Sequence, residues 1–536
     1  MNPEPMAAPV LPQASRRALL GLIAAGGVAA SGLGELAPAQ AAPLPLAPAL
    51  PAVSPDLAKG LDLRSSKHWH LARRVSAAPT AALAKEIKKV GYSTWIDRQL
   101  KWKKVKDTKA DKLIRKYLSY TTMTGAKVHQ ASNKQAWKAG KALSVSRTIR
   151  QVFTKRHLYE SMVDTMADHL YVSADGKASE YVAWFDWAVL RKYALGSYSD
   201  MLYAALRHPA LLLYTDNHVN SKDSPNENLG RELLELYTVG VGNYTEEDVR
   251  NSALILTGHS LDWETRSYRF NPNQHHVGPV QVMGFSHPNA AAADGPAVLK
   301  AYLSYLARHR GTALHIARRL AVRYVSDTPS DALVERLADV YRAKKTSLAA
   351  VMRTLLRSGE FAASVGAKWK RPQETIATMT RLRKPSTIKP AATQASNVWK
   401  ITGTVQWLLY LENHQPRMWP VIDGYPDQAT DWCSTQAMLA HWYTANALVN
   451  WGKDKEWPSK SWESALGVKV NQPITDVARS LTLAITGYTW PEAHLAQVIA
   501  RLRGDSGATR LTADQLKHNL GRTLHFIFAS PYFKLR

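Results

Sequence analysis

The densest group of chemically capable side chains lies in residues 216–258 (DNHVNSKDSPNENLGRELLELYTVGVGNYTEEDVRNSALILTG). Glu227, Arg231 and Glu235 are spaced by four residues, so they neighbour one another if the segment is helical. Glu232 lies between this arc and the apolar side of the same helix. A carboxylate in such a group can serve as a general base or a metal ligand, and Arg231 can hold an anionic group. These four residues are therefore the predicted catalytic candidates.

Five further polar side chains are predicted to bind a ligand beside this helix. They are Asp216, Asn226, Asn228, His169 and His275. Carboxylate and amide oxygens suit a hard cation such as calcium or magnesium, so a divalent metal is the cofactor to expect if the site binds one. The alternative is a rigid internal network, because buried polar groups must be paired. The sequence leaves both interpretations open.

Local capping signals predict where the helices of this segment begin. Ser224 is followed by Pro225 and, three residues on, by Glu227, a pattern typical of a capping box with proline at the first helical position. Thr245 with Asp248 three residues later indicates the start of the next helix in the same way.

Residues 1–41 show the order of features of a twin-arginine signal peptide. Residues 15–17 (SRR) precede an apolar stretch rich in Gly and Ala, and residues 39–41 (AQA) supply small side chains for a signal peptidase. We expect the chain to be exported by the twin-arginine route and to work in the cell envelope or outside the cell. No later run approaches the roughly 20 apolar residues of a membrane span, so we expect no transmembrane segment in the mature chain.

The charge balance favours anionic partners. The formal net charge is +26, and residues 101–116 are especially rich in lysine. For an exported protein, the positive electrostatic field of this charge indicates anionic envelope polymers as partners, and no nucleic acid is expected. The basic segment is either such a binding patch, with Trp102 as a stacking group, or a solvated helix face. Cys433 is the only cysteine, which excludes an intramolecular disulfide and cysteine-based metal sites of the usual spacing.

The spacing of apolar residues predicts a mainly α fold, a large multi-helix bundle-like domain arranged as two lobes. From Leu61 onward, apolar residues recur at intervals of three and four. We place a Pro/Ala-rich linker at residues 42–57, an N-terminal helical lobe at 58–365 and a C-terminal helical lobe at 366–536. One short β-hairpin is expected near residues 261–270, where apolar and polar residues alternate about a polar turn.

The segment 216–258 resembles the signature of the bacterial domain-of-unknown-function family 1800. The matching residues are Asp216-Asn217, Asn226-Glu227-Asn228, Gly230-Arg231-Glu232-Leu233, Glu235-Leu236, Gly240-Val241, Tyr244-Thr245, Asp248-Val249 and Thr257-Gly258. Looser similarity involves His70-Leu71-Ala72-Arg73-Arg74, Asp168-His169, Phe270 with His275, and Gly424-Tyr425-Pro426. Tyr237 and His276 depart from the pattern, which has His and Asp there. The resemblance implies an exported protein, encoded beside an exported sulfatase-like partner, and it implies no assigned activity.

Two classes of function follow. The first is an exported enzyme whose carboxylate and arginine site, with or without a metal, acts on an envelope or extracellular substrate. The second is a binding or assembly protein that engages anionic envelope polymers or an exported partner, with the polar cluster as internal scaffolding.

Overall fold

The computed structural model describes residues 61, 63–132, 135–389, 403–450 and 457–536, and these are mainly helical. The mainly α prediction is confirmed. The predicted signal peptide at residues 1–41 and the predicted linker at residues 42–57 lie outside the described part of the chain.

Among the described residues, fourteen α-helical segments lead to the helix that follows the two β-hairpins. They are α1 (Lys67–Val75), α2 (Ala81–Val90), α3 (Tyr92–Leu100), α4 (Thr108–Tyr117), α5 (Gly125–Ala131), α6 (Trp137–Phe153), α7 (His157–His169), α8 (Val182–Phe185), α9 (Arg191–Tyr193), α10 (Tyr198–Leu206), α11 (Pro209–Tyr214), α12 (Asn228–Glu232), α13 (Glu246–Ile255) and α14 (Gly295–Arg308).

The remaining helices follow in chain order to the end of the described residues. They are α15 (Arg310–Tyr324), α16 (Asp331–Ala343), α17 (Leu348–Leu356), α18 (Gly359–Ala363), α19 (Pro372–Leu382), α20 (Thr404–Leu411), α21 (Thr435–Asn450), α22 (Trp462–Leu466), α23 (Ile474–Thr486), α24 (Glu492–Arg503), α25 (Ala513–Ala529) and α26 (Pro531–Lys534).

Two π-helical turns interrupt the regular helices. Asp186–Leu190 joins α8 to α9, and Leu233–Tyr237 continues α12 to its end. Turns of this type are rare and occur frequently at functional sites. Both lie beside clusters of charged residues, which are described below.

Within the part of the chain that the structure describes, the β-strands form two antiparallel hairpins. The first pairs β1 (His259–Asp262) with β2 (Ser267–Phe270), so that His259 lies opposite Phe270. This confirms the hairpin predicted near residues 261–270. The second pairs β3 (Val280–Val282) with β4 (Phe285–His287) and was not predicted, because strands of three residues show too little alternation.

The start of α12 differs from its prediction, whereas the start of α13 agrees with it. Thr245 caps α13 in a reciprocal capping box with Asp248, as predicted. The helix predicted to be capped by Ser224 begins only at Asn228, with Glu227 at the N-cap position. The predicted cap is wrong because the Asn226 side chain accepts a hydrogen bond from the Asn228 backbone at 3.0 Å, a local turn that delays the helix.

Apolar side chains form two buried clusters. The first is built from residues between Leu71 and Phe361. The second combines Trp369 to Leu535 with side chains of α4 and α6, such as Ile114 and Ile149. Packing therefore crosses position 365/366, and the two-lobe boundary stays a prediction. None of the described helices combines the length and the apolar character that a membrane crossing requires.

Candidate functional site

A cavity of about 710 Å³ lies beside the end of the signature segment, and we call it the signature cavity. Its volume is in the range of roughly 300–1,000 Å³ that small-molecule sites occupy. Three elements build most of its wall: the turn that follows α12, helix α15 and helix α16. Its polar lining residues are His169, Glu235, Asn243, His315, Arg318, Arg319, Asp331, Glu335 and Asp423.

His169, at the end of α7, is a buried neutral imidazole whose tautomer is fixed. The Tyr198 hydroxyl donates its single proton to the backbone carbonyl of Tyr237. It must therefore accept at 2.8 Å from His169, which places the imidazole proton on Nε2. Nδ1 is left as a buried acceptor with no hydrogen-bond partner in the described chain. Burial, then the charges of Arg319 and His315, holds the pKa of His169 well below its usual value.

His315, on α15, is a second oriented imidazole. Its Nδ1 lies 2.8 Å from the Thr238 carbonyl, which can only accept, so Nδ1 carries the proton and Nε2 is unprotonated. No group in the described residues bonds Nε2. Burial and the nearby Arg319 lower the pKa of His315, although the bond to Thr238 opposes them. The rings of His169 and His315 lie 5.5 Å apart, edge to face.

The signature segment orients both imidazoles through its backbone. Carbonyl groups at a helix end have no partner within the helix and must be satisfied elsewhere. At the end of the π-helical turn, the Tyr237 carbonyl fixes His169 through Tyr198, and the Thr238 carbonyl fixes His315 directly. The irregular turn thus supplies the two acceptors that set the protonation pattern of the cavity.

Arg319 contributes a cation that makes no direct bond to the described residues. It lines the signature cavity one residue from the exposed Arg318, which pairs with Asp331 at 2.6 Å. Of the residues that the structure describes, none accepts a hydrogen bond from the Arg319 guanidinium, and its Nε is shielded from solvent. Burial lowers the pKa of Arg319, and the more distant Asp168 and Asp427 partly oppose this.

Its neighbour Arg323, one turn along α15, by contrast bonds two carboxylates through its terminal nitrogens. Arg323 bonds Asp427 at 3.0 Å and Glu374 at 2.9 Å, and Arg371 joins Asp427 at 2.7 Å to Asp168 at 2.6 Å. We call these five side chains the buried ion-pair network. Attraction to the arginines holds the pKa of Glu374 below its ordinary value although burial alone would raise it.

A second set of buried ion pairs surrounds the first π-helical turn. Glu160 bonds Arg191 at 2.6 Å and Arg147 at 3.2 Å, and Asp186 bonds Arg417 at 2.8 Å. Although burial opposes ionisation, the arginines lower the pKa of Glu160 to about 2. The void between the two sets measures only about 20 Å³, room for roughly one water molecule. Between the two sets, these charges therefore form internal structure. A cavity of about 290 Å³ lies against Asp186 and Arg191, and the signature cavity is larger.

The predicted catalytic residues separate in the structure. Glu235 lines the cavity and accepts a hydrogen bond from the Tyr244 hydroxyl at 2.8 Å. Arg231 instead forms a half-exposed pair with Glu246 at 2.6 Å and with Glu227 at 3.4 Å. Glu232 lies close to Tyr237, and burial together with its charge raises the pKa of that phenol.

The candidate binding residues also lie apart, and of the five only His169 lines the signature cavity. Asp216 pairs with Lys177 at 2.8 Å. Asn226 and Asn228 bond within the turn before α12. His275 is held between the Thr257 carbonyl at 2.8 Å and the Asn289 side chain at 3.0 Å. Within the described part of the chain, no group of three or more His, Cys, Asp or Glu is placed to hold a metal ion.

A comparison with protein families identifies the family of the chain. A family model described as a protein of unknown function, DUF1800, matches residues 70–535. The chain belongs to this family. No curated protein and no solved structure matches it.

Three segments that carry the DUF1800 resemblance meet near the signature cavity. Glu235 and Leu236 of the signature line it, and so does His169 of the Asp168-His169 pair. The third segment packs on this pair, because a Cβ placed on Gly424 would lie 2.3 Å from the Asp168 carbonyl oxygen. Glycine there, with φ of +74°, permits the close approach.

Sequence reasoning missed His315, Arg319 and Tyr198. One signal could have found Arg319: it follows Ile316 by three residues and precedes Arg323 by four, on the apolar side of a helix. An arginine on such a face is buried and must meet either a carboxylate or a ligand. Nothing in the local sequence marks His315 or Tyr198, because their role depends on carbonyl groups that are distant in the chain.

Proposed function

We propose that this protein is an exported hydrolase that holds an anionic group of its substrate on Arg319 and uses His315 as the general base. The observation that carries the proposal is a guanidinium that bonds none of the described residues, in a 710 Å³ cavity next to an oriented, unprotonated imidazole nitrogen. Arginine is suited to carboxylate, phosphate or sulfate groups because its planar donors match two oxygens at once.

The protonation states fit this role. The lowered pKa of His315 keeps its imidazole neutral near pH 7, so Nε2 can accept a proton from water as the oxygen attacks the ester centre. Arg319 contributes to that lowering, so an anion bound to Arg319 offsets its charge and favours the imidazolium. The proton can then pass from His315 to the departing oxygen. Charge on the substrate and proton transfer are thereby coupled.

Anion binding tests the first half of the proposal. We expect inorganic sulfate or phosphate to bind and to raise the melting temperature in a saturable way. Arg319→Met should abolish that stabilisation. Arg318→Met is the matched control, since Arg318 lines the same cavity but is exposed and paired with Asp331. Equal anion binding by wild type and Arg319→Met would refute the assignment of Arg319.

Catalysis tests the second half, with a panel of nitrophenyl phosphate, sulfate and carboxylate esters as probes. His315→Asn keeps a side-chain N–H that can donate to the Thr238 carbonyl and removes the basic Nε2. We expect kcat to fall by roughly 10²–10⁴-fold with anion binding retained. An unchanged kcat in this variant, or no turnover of any probe by a wild type that binds anions, would count against the hydrolase.

A second candidate function, binding of anionic envelope polymers, is favoured by the basic segment. Its cations are exposed: Lys101, Lys103, Lys104, Lys106, Lys109, Lys112, Arg115 and Lys116. Its two carboxylates are directed inward, where Asp107 accepts from Thr154 at 2.5 Å and Asp111 pairs with Arg150 at 2.8 Å. Trp102 is not a free stacking group, because it stacks on Tyr159 with ring centroids 3.9 Å apart.

Charge reversal tests this second candidate. Changing Lys101, Lys103, Lys104 and Lys106 to Glu should weaken retention on a sulfated polysaccharide in a salt-dependent way. The control reverses four exposed lysines elsewhere, Lys222, Lys300, Lys344 and Lys469, and so changes the net charge equally. The same loss in both variants would show that only total charge matters.

Export by the twin-arginine route and an extracellular or envelope location complete the proposal. They are supported by the order of the arginine pair, the apolar stretch and the small residues in positions 1–41. Replacing Arg16 and Arg17 by Lys should retain the protein inside the cell, and the exported form should begin at Ala42. Co-purification of an exported sulfatase-like protein would test the partner that the family resemblance implies.

A further inference from the structure

Two unprotonated imidazole nitrogens belong to the wall of the signature cavity, and the proposed reaction uses only one of them. Nε2 of His315 is its general base. Nδ1 of His169 is shielded from solvent and bonds no group of the described chain. Only 2% of His169 is exposed, and buried polar atoms without a partner are rare in native proteins. A group in the cavity that donates a proton to this nitrogen would satisfy it.

The turn that follows α12 holds the other nitrogen of each ring. His315 donates from Nδ1 to the Thr238 carbonyl. His169 donates from Nε2 to the Tyr198 hydroxyl, which in turn donates to the Tyr237 carbonyl. The two nitrogens of an imidazole lie on different sides of the ring. The two acceptor nitrogens are therefore on the sides that these backbone anchors do not occupy.

The separation of the two rings suits one water molecule between them. The centroids of His169 and His315 are 5.5 Å apart, with the rings edge to face. A water that donates one proton to each of two acceptors, at about 2.8 Å, spans up to about 5.6 Å between them. Both nitrogens are uncharged acceptors, so their occupant must supply two donors from one atom. The positive charge of Arg319 acts on both rings and opposes a cation there.

We infer that His169 orients the attacking water through Nδ1 while His315 takes a proton from it. This inference rests on the proposed hydrolase function. The water oxygen forms a bond to the ester centre, one of its protons passes to Nε2 of His315, and the other stays on the oxygen, bonded to His169. The bond to the departing oxygen breaks, and that oxygen receives the proton from His315. His169 keeps its protonation state, because burial and then the charge of Arg319 hold its pKa well below the usual value.

Competition between water and methanol as the attacking molecule tests the inference. Methanol has one O–H and cannot bond both nitrogens, so the wild type should favour water. His169→Gln keeps an N–H for the Tyr198 hydroxyl and has no acceptor in place of Nδ1. With a nitrophenyl ester that the wild type hydrolyses, this variant should lose about tenfold to a hundredfold in kcat at an unchanged KM. Its ratio of methanol product to water product should rise about fivefold, the effect of one hydrogen bond.

The matched control is His309→Asn, at a half-buried histidine beside the start of α15. Its Nδ1 accepts from the Gly311 N–H at 3.1 Å, and asparagine keeps a side-chain acceptor there. We expect kcat and the product ratio of this control to equal those of the wild type. Sulfate stabilisation shows whether each variant retains a folded cavity. If His169→Gln loses it, Tyr198→Phe decides, because His169 without that acceptor can hold its proton on Nδ1 and the same two quantities should shift.

A high-resolution crystal structure adds a result that needs no activity. The wild type should hold one water bonded to both nitrogens, and His169→Gln should lack it. Absence of that water from the wild type would overturn the inference and leave the hydrolase standing. So would an unchanged kcat and product ratio in a folded His169→Gln. A wild type that holds the water but hydrolyses no ester would overturn the hydrolase and, with it, the role of the water.

Discussion

Arg319 and Arg323 lie one helical turn apart on α15, and replacing each by methionine should change stability in opposite directions. Arginine and methionine both have long side chains and favour helices about equally, so helix propensity does not separate the two variants. The two arginines differ in the acceptors that their guanidinium groups bond. Arg323 bonds Asp427 and Glu374, whereas no described residue accepts a hydrogen bond from Arg319.

The magnitudes follow from these contacts. Arg319 is half-buried, and only its Nε is shielded from solvent without an acceptor; such a donor costs about 1–3 kcal/mol, and the attraction of Arg319 to Asp168 and Asp427 offsets part of that cost. Arg319→Met should therefore stabilise the anion-free protein by about 1 kcal/mol. Arg323→Met leaves two buried carboxylates short of a partner, and breaking a buried pair in this way costs about 3–5 kcal/mol.

Urea unfolding followed by circular dichroism, in a buffer free of sulfate and phosphate, measures both values. Adding sulfate should then stabilise the wild type and Arg323→Met but not Arg319→Met. A destabilisation of Arg319→Met by more than about 1 kcal/mol would refute the reasoning, because the guanidinium would then serve the fold and not a ligand.

Two further predictions concern protonation and backbone geometry. Burial lowers the pKa of His208 to about 3, so the unfolded chain binds a proton that the folded chain does not as pH falls below about 6.5. His208→Asn keeps a side-chain acceptor for the Ala210 N–H. Between pH 7.5 and 5 this variant should lose about 2 kcal/mol less unfolding free energy than the wild type, measured by urea unfolding. Identical losses would contradict the lowered pKa of His208. Gly424→Ala should destabilise the protein by about 3 kcal/mol or more, because the new Cβ meets the Asp168 carbonyl. Gly467→Ala has the same kind of backbone, with φ of +75°, but open space around it, so it should cost only about 1–2 kcal/mol of backbone strain. Thermal unfolding of both alanine variants measures the difference, and equal costs would show that the backbone relaxes around Gly424.

The helical class, one hairpin and the start of α13 could be predicted because each depends on neighbours in sequence. Apolar spacing defines a helix within a few turns, and the Thr245–Asp248 capping box is complete within four residues. The start of α12 failed for a related reason. Two local signals compete there, a serine cap and an asparagine turn, and the Asn226 bond to the Asn228 backbone is formed.

The candidate site was less predictable, because its chemistry depends on long-range contacts. The sequence indicated the segment beside the signature cavity and one histidine that lines it, His169, but it assigned the chemistry to the carboxylates of α12. Spacing by four is informative on a regular helix, and the π-helical turn at Leu233–Tyr237 ends that regularity. Arg231 turns to Glu246, which belongs to the next helix, and only Glu235 of the four predicted catalytic residues lines the cavity.

If the proposed function holds, the π-helical turn also accounts for how a segment rich in carboxylates serves a cavity in which Arg319 binds an anion. Its carboxylates make local bonds, so their charges are largely used within the segment. What reaches the cavity is backbone: the carbonyls of Tyr237 and Thr238 accept protons from Tyr198 and His315. A carbonyl acceptor holds the proton of a neutral imidazole on one nitrogen and leaves the other nitrogen basic. The segment therefore acts on the chemistry of the cavity by fixing where two protons lie, while Arg319 supplies the charge that a substrate meets.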